Sequence, residues 1–334
     1  MADQNKGMSD LWRRLRFVFL AIVVYRMGTH IPIPGIDPAR LAALFDQNQG
    51  TILEMFNLFS GGALERMSIF ALNVVPYISA AIIMQLFSNS IPYLQELKKD
   101  GQAGRNQITQ YTRYGTVVLA FVQASALSVT LGASGLAYEP GTSFFISAVF
   151  SVVAGTVFLM WLGEQITERG IGNGISIIIA TSILTGIPGA IGQALEQARQ
   201  GDLNILLLLG IGVLAMVVIA IVVFIERGQR RITVNYAQRQ QGRKLMQAQA
   251  SHLPFKVNMA GVIPAIFAST FLLFPASLST WFGQAESFGF LQTISLALNP
   301  GQPLYILTFS ALIISFCFIW LALTFDTKDV TDNL

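Results

Sequence analysis

Charged residues are scarce in this chain of 334 residues: Asp, Glu, Lys and Arg make up only 12% of it. A typical soluble domain contains about 25%. Hydrophobic residues make up 53% of the chain. A soluble protein of this length must cover its surface with charged and polar side chains, so the composition excludes an ordinary soluble enzyme. It indicates an integral membrane protein.

Cysteine and the familiar catalytic motifs are also almost absent. The one cysteine, Cys317, lies in an apolar run, which excludes a disulfide framework and a thiolate metal site. The sequence contains neither a Gly-Lys-Ser/Thr phosphate loop nor a His-Glu-x-x-His zinc motif. Gly170-Ile-Gly-Asn-Gly174 superficially resembles a phosphate loop, but it follows an apolar stretch rather than a strand, which favours a tight connecting loop. We expect no enzymatic activity, no cofactor and no metal.

Long apolar runs are what the sequence does contain. A bilayer core about 30 Å thick requires roughly 20 apolar residues per helix, and eight stretches approach that length. Strand-like alternation is absent from them, so helices are expected. Arg26 is the only strongly ionisable residue well inside a stretch. The sequence therefore predicts an all-α polytopic membrane bundle, with spans at about 17–34, 71–92, 114–132, 143–163, 174–192, 204–225, 258–282 and 304–325.

The basic residues orient these spans. Arg13, Arg14 and Arg16 place residues 1–16 in the cytoplasm by the positive-inside rule. The apolar stretch that follows lacks a small-residue cleavage site, so we expect no cleaved signal peptide. Alternating the loops puts 17 of the 21 Lys and Arg residues on the cytoplasmic side and three on the outer side. With the acidic residues counted, the cytoplasmic segments have a net charge of +7 and the outer segments −5.

The longest cytoplasmic loop, residues 226–257, carries two basic clusters around a predicted hairpin. Residues 233–236 favour a strand, and Gly242 favours a turn. Two functions remain open for the basic residues: contact with anionic lipids, worth about 1 kcal/mol per residue, or docking of an acidic or RNA-containing partner. The candidate docking residues are Arg227, Arg230, Arg231, Arg239, Arg243 and Lys244.

Residues 51–70, on the predicted outer side, are apolar but interrupted. Ser60-Gly61-Gly62 breaks the segment, and Glu65 and Arg66 follow, so it is too short and too polar to span a bilayer. An interfacial amphipathic helix is favoured by the residues alone. The alternative is a re-entrant element, which requires surrounding protein or water.

A short pattern recurs in the second and seventh predicted spans. Val75-Pro-Tyr-Ile-Ser-Ala80 matches Ile263-Pro-Ala-Ile-Phe-Ala268. Six positions could match by coincidence, but spans five apart run in opposite directions. A duplicated five-helix unit therefore predicts an inverted repeat around a central path. Its halves would be residues 17–192 and 193–325. The second half has only three spans, so we expect two more beyond the last residue given.

The predicted spans contain almost no Asp, Glu or His, the residues that ion-coupled transporters use as relays. A central path without coupling chemistry needs an external driver or gate. A small-solute secondary transporter with inverted repeats nevertheless remains an alternative on fold alone. A membrane scaffold is a third possibility.

Longer motifs resemble a known family. In chain order they are Ile31-Pro-Ile-Pro-Gly-Ile-Asp37, Phe56-Asn-Leu-Phe-Ser-Gly-Gly-Ala63, Pro76-Tyr-Ile-Ser-Ala80, Gln110-Tyr-Thr-Arg-Tyr-Gly115, Trp161-Leu-Gly-Glu-Gln-Ile-Thr-Glu-Arg-Gly-Ile-Gly-Asn-Gly-Ile-Ser176, Glu226-Arg-Gly-Gln-Arg-Arg231 and Lys256-Val-Asn-Met-Ala-Gly-Val-Ile-Pro-Ala-Ile266. The chain is similar to the SecY family, the pore subunits of bacterial protein-conducting channels, and most resembles its proteobacterial members.

The resemblance implies roles for several residues. It implies an aliphatic ring that narrows an hourglass pore, formed by Ile78, Ile82, Ile175, Ile179 and Ile266. It revises the interpretation of residues 51–70 to a plug, with its core at Ser60, Gly61, Gly62, Ala63, Leu64, Glu65 and Arg66. It implies a lateral gate between the second, third, seventh and eighth spans, near Gln85 and Asn89. It favours docking for the 226–257 loop.

The resemblance also implies function, partners and location. We expect a channel subunit of the bacterial inner membrane that passes unfolded secretory polypeptides and releases signal sequences sideways into lipid. SecE and SecG would be its companion subunits, and the SecA motor or the ribosome would drive transport. Family members have ten spans, whereas this chain ends at residue 334, with 326–334 beginning a further cytoplasmic loop. We therefore expect the chain to be a fragment.

Overall fold

The computed structural model describes residues 2–38, 40–41, 57, 60–139, 141–201, 204–234, 240–241, 244–245, 251–269, 271–272 and 302–324. Its helices are α1 (Ala2–Gly28), α2 (Val75–Ser90), α3 (Pro92–Lys99), α4 (Gly101–Ala133), α5 (Thr142–Arg169), α6 (Gly174–Gln200), α7 (Ile205–Arg227) and α8 (Pro303–Thr324). Residues 263–269 are also helical. The strands are β1 (Gln229–Val234), β2 (Gln240–Gln241), β3 (Lys244–Leu245) and β4 (Ser251–Lys256). The predicted helical bundle is confirmed.

Helix α1 is one continuous helix from the basic N-terminal residues to Gly28. Asp10 accepts hydrogen bonds from Arg13 at 2.6 Å and from Arg14 at 3.0 Å. The Arg14 hydrogen bond lowers the pKa of the exposed Asp10 carboxyl. The helix ends six residues before the predicted span end at 34, because Pro32 and Pro34 lack an amide proton and disfavour helical backbone in the residues before them.

The second span is shorter than predicted. Helix α2 has 16 residues, with Pro76 in its first turn, and Ile91 is extended before Pro92. Sixteen residues extend about 24 Å, less than the roughly 30 Å of a bilayer core. The prediction of a full span at 71–92 is therefore wrong at its start, where residues 71–74 form turns.

Five helices in the described ranges are long and apolar enough to cross a membrane: Gly101–Gly132, Thr142–Arg169, Gly174–Gln200, Ile205–Arg227 and Pro303–Ala322. They correspond to the third, fourth, fifth, sixth and eighth predicted spans. The seventh predicted span, 258–282, falls partly outside the described residues, and its described helical part begins at 263. These helices make the chain a multi-pass membrane protein.

The chain divides into two compact units, and the first comprises Met1–Ala190 with Phe267–Ala311. In this unit α2 packs on α4, α4 packs on α5, and α1 packs on α5. Two apolar clusters fill the spaces between these helices. The first contains Ile33, Leu64, Met67, Leu72, Leu131, Phe144 and Val149, among others. The second contains Tyr25, Ala63, Phe70, Val74, Leu159, Leu162, Ile166 and Ile178, with Ala21. Residues 63–74 contribute to both clusters.

Glycines on α5 allow this close packing. A Cβ at Gly155 would collide with the carbonyl oxygen of Ile69, and a Cβ at Gly163 would collide with the side chain of Ile175. A Cβ at Gly174 would in turn collide with the carbonyl oxygen of Gly163. The missing side chains therefore let the non-helical residues before α2 and the start of α6 approach the α5 backbone.

The second unit comprises Ile191–Ile266 and Leu312–Leu334 and contains α7 and the strands. Asn204 caps α7 by accepting a hydrogen bond from the Leu206 amide at 3.1 Å. Strands β1 and β4 pair antiparallel, from Gln229 opposite Lys256 to Val234 opposite Ser251. Strands β2 and β3 pair with Gln241 opposite Lys244. The predicted hairpin is confirmed, although its first strand begins at Gln229 rather than at residue 233. Residues 235 and 236 of the predicted strand and the predicted turn at Gly242 lie outside the described residues.

Replacing Gly155 with Ala tests the close approach to α5. We expect Gly155→Ala to lower stability by about 1–3 kcal/mol, the usual cost of overpacking, because the new methyl group meets the Ile69 carbonyl. Gly132→Ala in α4 is the matched control, since nothing lies within 4 Å of its Cβ position. Thermal unfolding of both variants in detergent measures the difference. Equal midpoints would show that the backbone contact at Gly155 is absent.

Candidate functional site

Three of the predicted ring residues lie against one apolar cluster. Ile78 on α2 and Ile175 and Ile179 on α6 are half-buried and pack against the second cluster. On α6 the fully buried positions Gly174, Ile178 and Ser182 recur every four residues, which places them on one face of the helix. Ile175 and Ile179 each follow a buried position by one residue. They therefore border the buried face without being enclosed by it.

The other two predicted ring residues are described separately. Ile82 follows Ile78 by one turn on α2 and is half-buried. Ile266 is helical and half-buried, and its amide donates to the Val262 carbonyl at 3.3 Å. Ile266 belongs to the second unit. A ring of five isoleucines therefore remains a prediction, of which three members share a cluster.

Residues 61–74 form turns in which most side chains are buried. Ser60, Ala63 and Met67 are at most 5% exposed. The segment pairs with the stretch after α1, since the Ile33 amide donates to the Met67 carbonyl at 2.8 Å and the Ile69 amide donates to the Ile31 carbonyl at 3.0 Å. The backbone of residues 61–70 is not helical, so the preference for an interfacial amphipathic helix is wrong for these residues. Residues 51–56, 58 and 59 lie outside the described residues.

The charged residues of this segment point to its exposed side. The Asn57 amide donates to the Glu65 carboxylate at 2.9 Å, and the Arg66 guanidinium lies 3.2 Å from His30 Nε2. Arg26, the ionisable residue inside the first predicted span, donates from Nη1 to the Gly61 carbonyl at 3.0 Å. The positive charge of Arg26 therefore interacts with the negative end of the Gly61 carbonyl dipole.

A buried polar network joins this segment to α1 and α6. Tyr25 Oη lies 2.6 Å from Ser182 Oγ and 3.2 Å from the Ser60 carbonyl. Asn73 Nδ2 donates to Ser182 Oγ at 3.1 Å. Ser182 Oγ also lies 2.8 Å from the Ile178 carbonyl, one turn earlier. Tyr25, Ser60, Asn73 and Ser182 are each at most 2% exposed. The hydroxyl of Ser182 is thus the hub that three chain segments share.

The hydrogen bond between Tyr25 and Ser182 at 2.6 Å takes its proton from one of the two hydroxyl groups, which gives two arrangements of the network. In the first, Asn73 donates to Ser182, Ser182 donates to Tyr25, and Tyr25 donates to the Ser60 carbonyl. In the second, Ser182 donates to the Ile178 carbonyl and accepts from both Tyr25 and Asn73. Each arrangement satisfies the two hydroxyl groups, which would otherwise cost about 1–3 kcal/mol apiece when buried. Both retain a hydrogen bond between Tyr25 and Ser182.

An aromatic series extends from the same tyrosine. Tyr25 stacks on Phe70 with ring centroids 6.0 Å apart, and Phe70 stacks on Phe158 at 5.9 Å. Phe158 contacts Trp161 at 5.8 Å. Phe70 is buried in the second cluster, whereas Trp161 is exposed on α5. Phe70 therefore packs against the face of the Tyr25 ring, while the hydroxyl group at the ring edge forms the polar contacts.

The predicted gate residues lie on α2. Gln85 is half-buried, and its backbone carbonyl accepts from the Ser88 hydroxyl at 2.8 Å. Asn89 is one turn further along the same helix, and its side chain lies outside the described residues. Helix α2 packs against α4, the third predicted span. The gate assignment therefore remains a prediction.

The predicted docking residues begin on exposed positions. Arg227 ends α7, and Arg230 and Arg231 lie on β1, all with exposed side chains. In the hairpin register Arg230 is opposite Phe255 and Arg231 is opposite Pro254. Lys244 lies in β3, but its side chain is outside the described residues, as are Arg239 and Arg243.

Sequence reasoning missed the polar network. The signal was the presence of Tyr25 and Ser182 inside predicted spans, since a hydroxyl group in an apolar environment needs a partner. Asn73 carried a second signal, because an amide two residues before Val75 cannot face lipid without cost. Its backbone also adopts φ +49°, a conformation that Asn tolerates better than most residues. The partners themselves are up to 157 residues apart, and no local pattern identifies them.

Comparisons with known proteins agree on one family. A family model described as SecY matches residues 68–334. The protein translocase subunit SecY of Pseudomonas aeruginosa is 65% identical over 333 residues, covering 100% of this chain and 75% of that protein.

Two solved structures have a similar fold. Sec61 in the canine ribosome-channel complex from the endoplasmic reticulum has a TM-score of 0.56 at 19% identity, covering 81% of this chain and 60% of that one. A SecY structure, described as showing that the plug domain stabilises the closed state of the translocation channel and maintains a membrane seal, has a TM-score of 0.56 at 21% identity. It covers 81% of this chain and 59% of that one. The chain thus spans about three fifths of these structures.

Replacing Ile178 with Ala separates the buried cluster from the predicted ring. Ile178 is 1% exposed, so the cavity left by Ile178→Ala should cost about 2–5 kcal/mol. Ile183→Ala on the same helix is the control, since Ile183 is 42% exposed. Ile179→Ala should fall between them because Ile179 is half-buried. Unfolding midpoints in detergent give the order, and a cost for Ile183→Ala equal to that of Ile178→Ala would contradict the packing.

Proposed function

Because this chain belongs to the SecY family of protein translocase subunits, we propose that it forms the channel through which unfolded secretory polypeptides cross the bacterial inner membrane. Signal sequences and transmembrane segments leave it sideways into lipid. The observation that carries the proposal is the 65% identity to a translocase subunit along 100% of the chain. The chain is a channel subunit rather than an enzyme, and its substrate is the polypeptide in transit.

The channel is narrowed by Ile78, Ile82, Ile175, Ile179 and Ile266. Aliphatic side chains at a constriction exclude water and so oppose ion flow. They form no directional bonds with a passing chain, and they can therefore part around side chains of any kind. The half-buried positions of Ile78, Ile175 and Ile179 against the second cluster support this role, because one side of each is held while the other is open.

Residues 60–66 are the core of a plug that seals the channel in its resting state. The burial of Ser60, Ala63 and Leu64 supports the assignment. Ala63 is a member of the second cluster, against which Ile78 and Ile175 pack. A sealing role for a plug is described for a SecY structure of similar fold. The glycines at 61 and 62 adopt positive φ and give this segment a tight bend that few other residues could form.

The lateral gate opens beside α2. A signal sequence that enters lipid is stabilised by about 0.8 kcal/mol for each buried CH₂ group. Its release into lipid is therefore favourable once the gate has opened. Gln85 and Asn89, one turn apart on α2, are the polar residues assigned to this gate.

The hairpin 226–257 is the cytoplasmic docking element. Arg227, Arg230 and Arg231 are exposed, and Arg239, Arg243 and Lys244 add charge along the loop. The ribosome, whose RNA is acidic, and the SecA motor are the proposed partners, and a ribosome-channel complex is the solved assembly of a similar chain. SecE, SecG and anionic lipids complete the assembly. The N-terminus lies on the same cytoplasmic side.

A secondary transporter for a small solute is not favoured. The family relatives are translocase subunits, and the predicted spans contain almost no acidic or histidine relay residues. The same relatives leave the membrane scaffold without support.

Photo-crosslinking tests the channel directly. A crosslinking residue placed at Ile78 or Ile266 in the assembled translocase should react with a secretory polypeptide stalled in transit, because both positions face the proposed path. The control position is Phe224 on α7, whose side chain is 81% exposed and lies among other exposed apolar residues. Adducts with lipid alone at Ile78 and Ile266 would remove them from the path.

Charge reversal on the hairpin tests docking. Arg230→Glu with Arg231→Glu should weaken ribosome binding at least ten-fold at low salt, and the difference should shrink as salt screens the charges. The control pair, Arg40→Glu with Arg199→Glu, makes the same charge change on the predicted outer side. Ribosome cosedimentation with reconstituted vesicles measures both. Equal weakening by the two pairs would mean that net charge, not the hairpin, governs binding.

A further inference from the structure

Tyr25, Asn73 and Ser182 have no role in the channel proposed above. Each is at most 2% exposed. The hydrogen-bonded network around Ser182 connects three separate parts of the first unit: Tyr25 on α1, Ser182 on α6, and Ser60 and Asn73 at the two ends of residues 60–73. Groups that tie both ends of one segment to two helices determine where that segment rests.

We propose that Tyr25, Ser182 and Asn73 are positioning residues that hold residues 60–62 against α6 and thereby stabilise the sealed state of the channel. The proposal rests on the proposed function, because a sealed and an open state exist only if the chain forms a channel. It states that these side chains lower the free energy of the sealed state relative to the open state. The bond between Tyr25 and Ser182 is its centre, because it persists in both proton arrangements of the network.

The position of Gly61 gives independent support. A Cβ at Gly61 would lie 3.1 Å from the Ser182 Cα, 3.3 Å from the Ser182 carbonyl oxygen and 3.2 Å from Thr185 Oγ1. The segment therefore rests directly on the α6 backbone at the residue that forms the hub. Arg26 reinforces the same contact by donating to the Gly61 carbonyl at 3.0 Å.

The geometry also explains how such a contact can release. The bonds that tie the Ser60 and Gly61 carbonyls to α1 come from the side chains of Tyr25 and Arg26, not from a strand or helix ladder shared with that helix. Breaking them leaves α1 and α6 intact as helices. A hydrogen bond of this kind contributes little enough that its loss shifts an equilibrium by about three- to ten-fold, which suits a seal that must open during transport.

The test uses the assembled translocase in planar bilayers and proteoliposomes. Tyr25→Phe keeps the ring that stacks on Phe70 and removes the hydroxyl, and Ser182→Ala removes the hub. Each should raise the resting ion conductance about three- to ten-fold while a secretory polypeptide with an intact signal sequence is still transported. The double variant should raise conductance by less than the product of the single effects, because both remove the same bond. Tyr138→Phe, at a 66% exposed tyrosine, is the matched control.

A second pair of variants tests the same contact independently, in case Tyr25→Phe fails to fold. Gly61→Ala and Gly135→Ala both place a side chain at positive φ, +67° and +66°, but nothing lies within 4 Å of the Gly135 Cβ position. Conductance should rise for Gly61→Ala alone. Equal conductance in Tyr25→Phe, Ser182→Ala and Tyr138→Phe, with transport intact, would overturn the positioning role and leave the channel standing. Absence of transport in the unmodified translocase would instead overturn the proposed function.

Discussion

The structure depends on how the amide and carbonyl groups of one non-helical stretch, residues 60–74, find hydrogen-bond partners inside a membrane protein. Unpaired amide and carbonyl groups are costly away from water, so such a stretch must be enclosed by protein or must line water. Residues 60–74 meet this constraint by pairing with the stretch after α1, by side-chain bonds from Tyr25 and Arg26, and by packing on α5 where Gly155 carries no side chain. Both apolar clusters include residues from this stretch. Its placement therefore determines how α1, α5 and α6 come together.

On helix α6, residues that stabilise the packing lie next to residues of the proposed pore ring. Ile178 and Ser182 are fully buried and hold the helix against its neighbours, whereas Ile175 and Ile179 are only partly enclosed. In the proposed constriction, Ile175 and Ile179 can change conformation without disturbing the packing of Ile178 and Ser182. The proposed channel needs both properties, because its path must change width while its helices keep their fold.

The sequence predicted the elements that are marked by long apolar runs or by clusters of charge. Helices α5, α6, α7 and α8 follow from long apolar runs, and the hairpin follows from a polar loop too long for a simple connection. Sequence reasoning did not find the true length of α2, because Pro76 and the turns before it mark an end that hydropathy alone does not show. It preferred an interfacial helix for residues 51–70, since amphipathic residues give the same pattern whether lipid or protein covers them. The contacts of Ser182 depend on tertiary structure, and no periodicity encodes them.

The register of the hairpin has a consequence for the shape of any surface that meets it. Successive side chains on a strand point to opposite faces, so the neighbouring residues Arg230 and Arg231 on β1 carry their charges in opposite directions. A flat layer of headgroups can touch only one face of a two-stranded ribbon at a time. A cleft that closes around the ribbon can neutralise both. Because Arg230 and Arg231 lie on opposite faces of the ribbon, a partner with a cleft can neutralise both charges, whereas a flat partner surface can neutralise one.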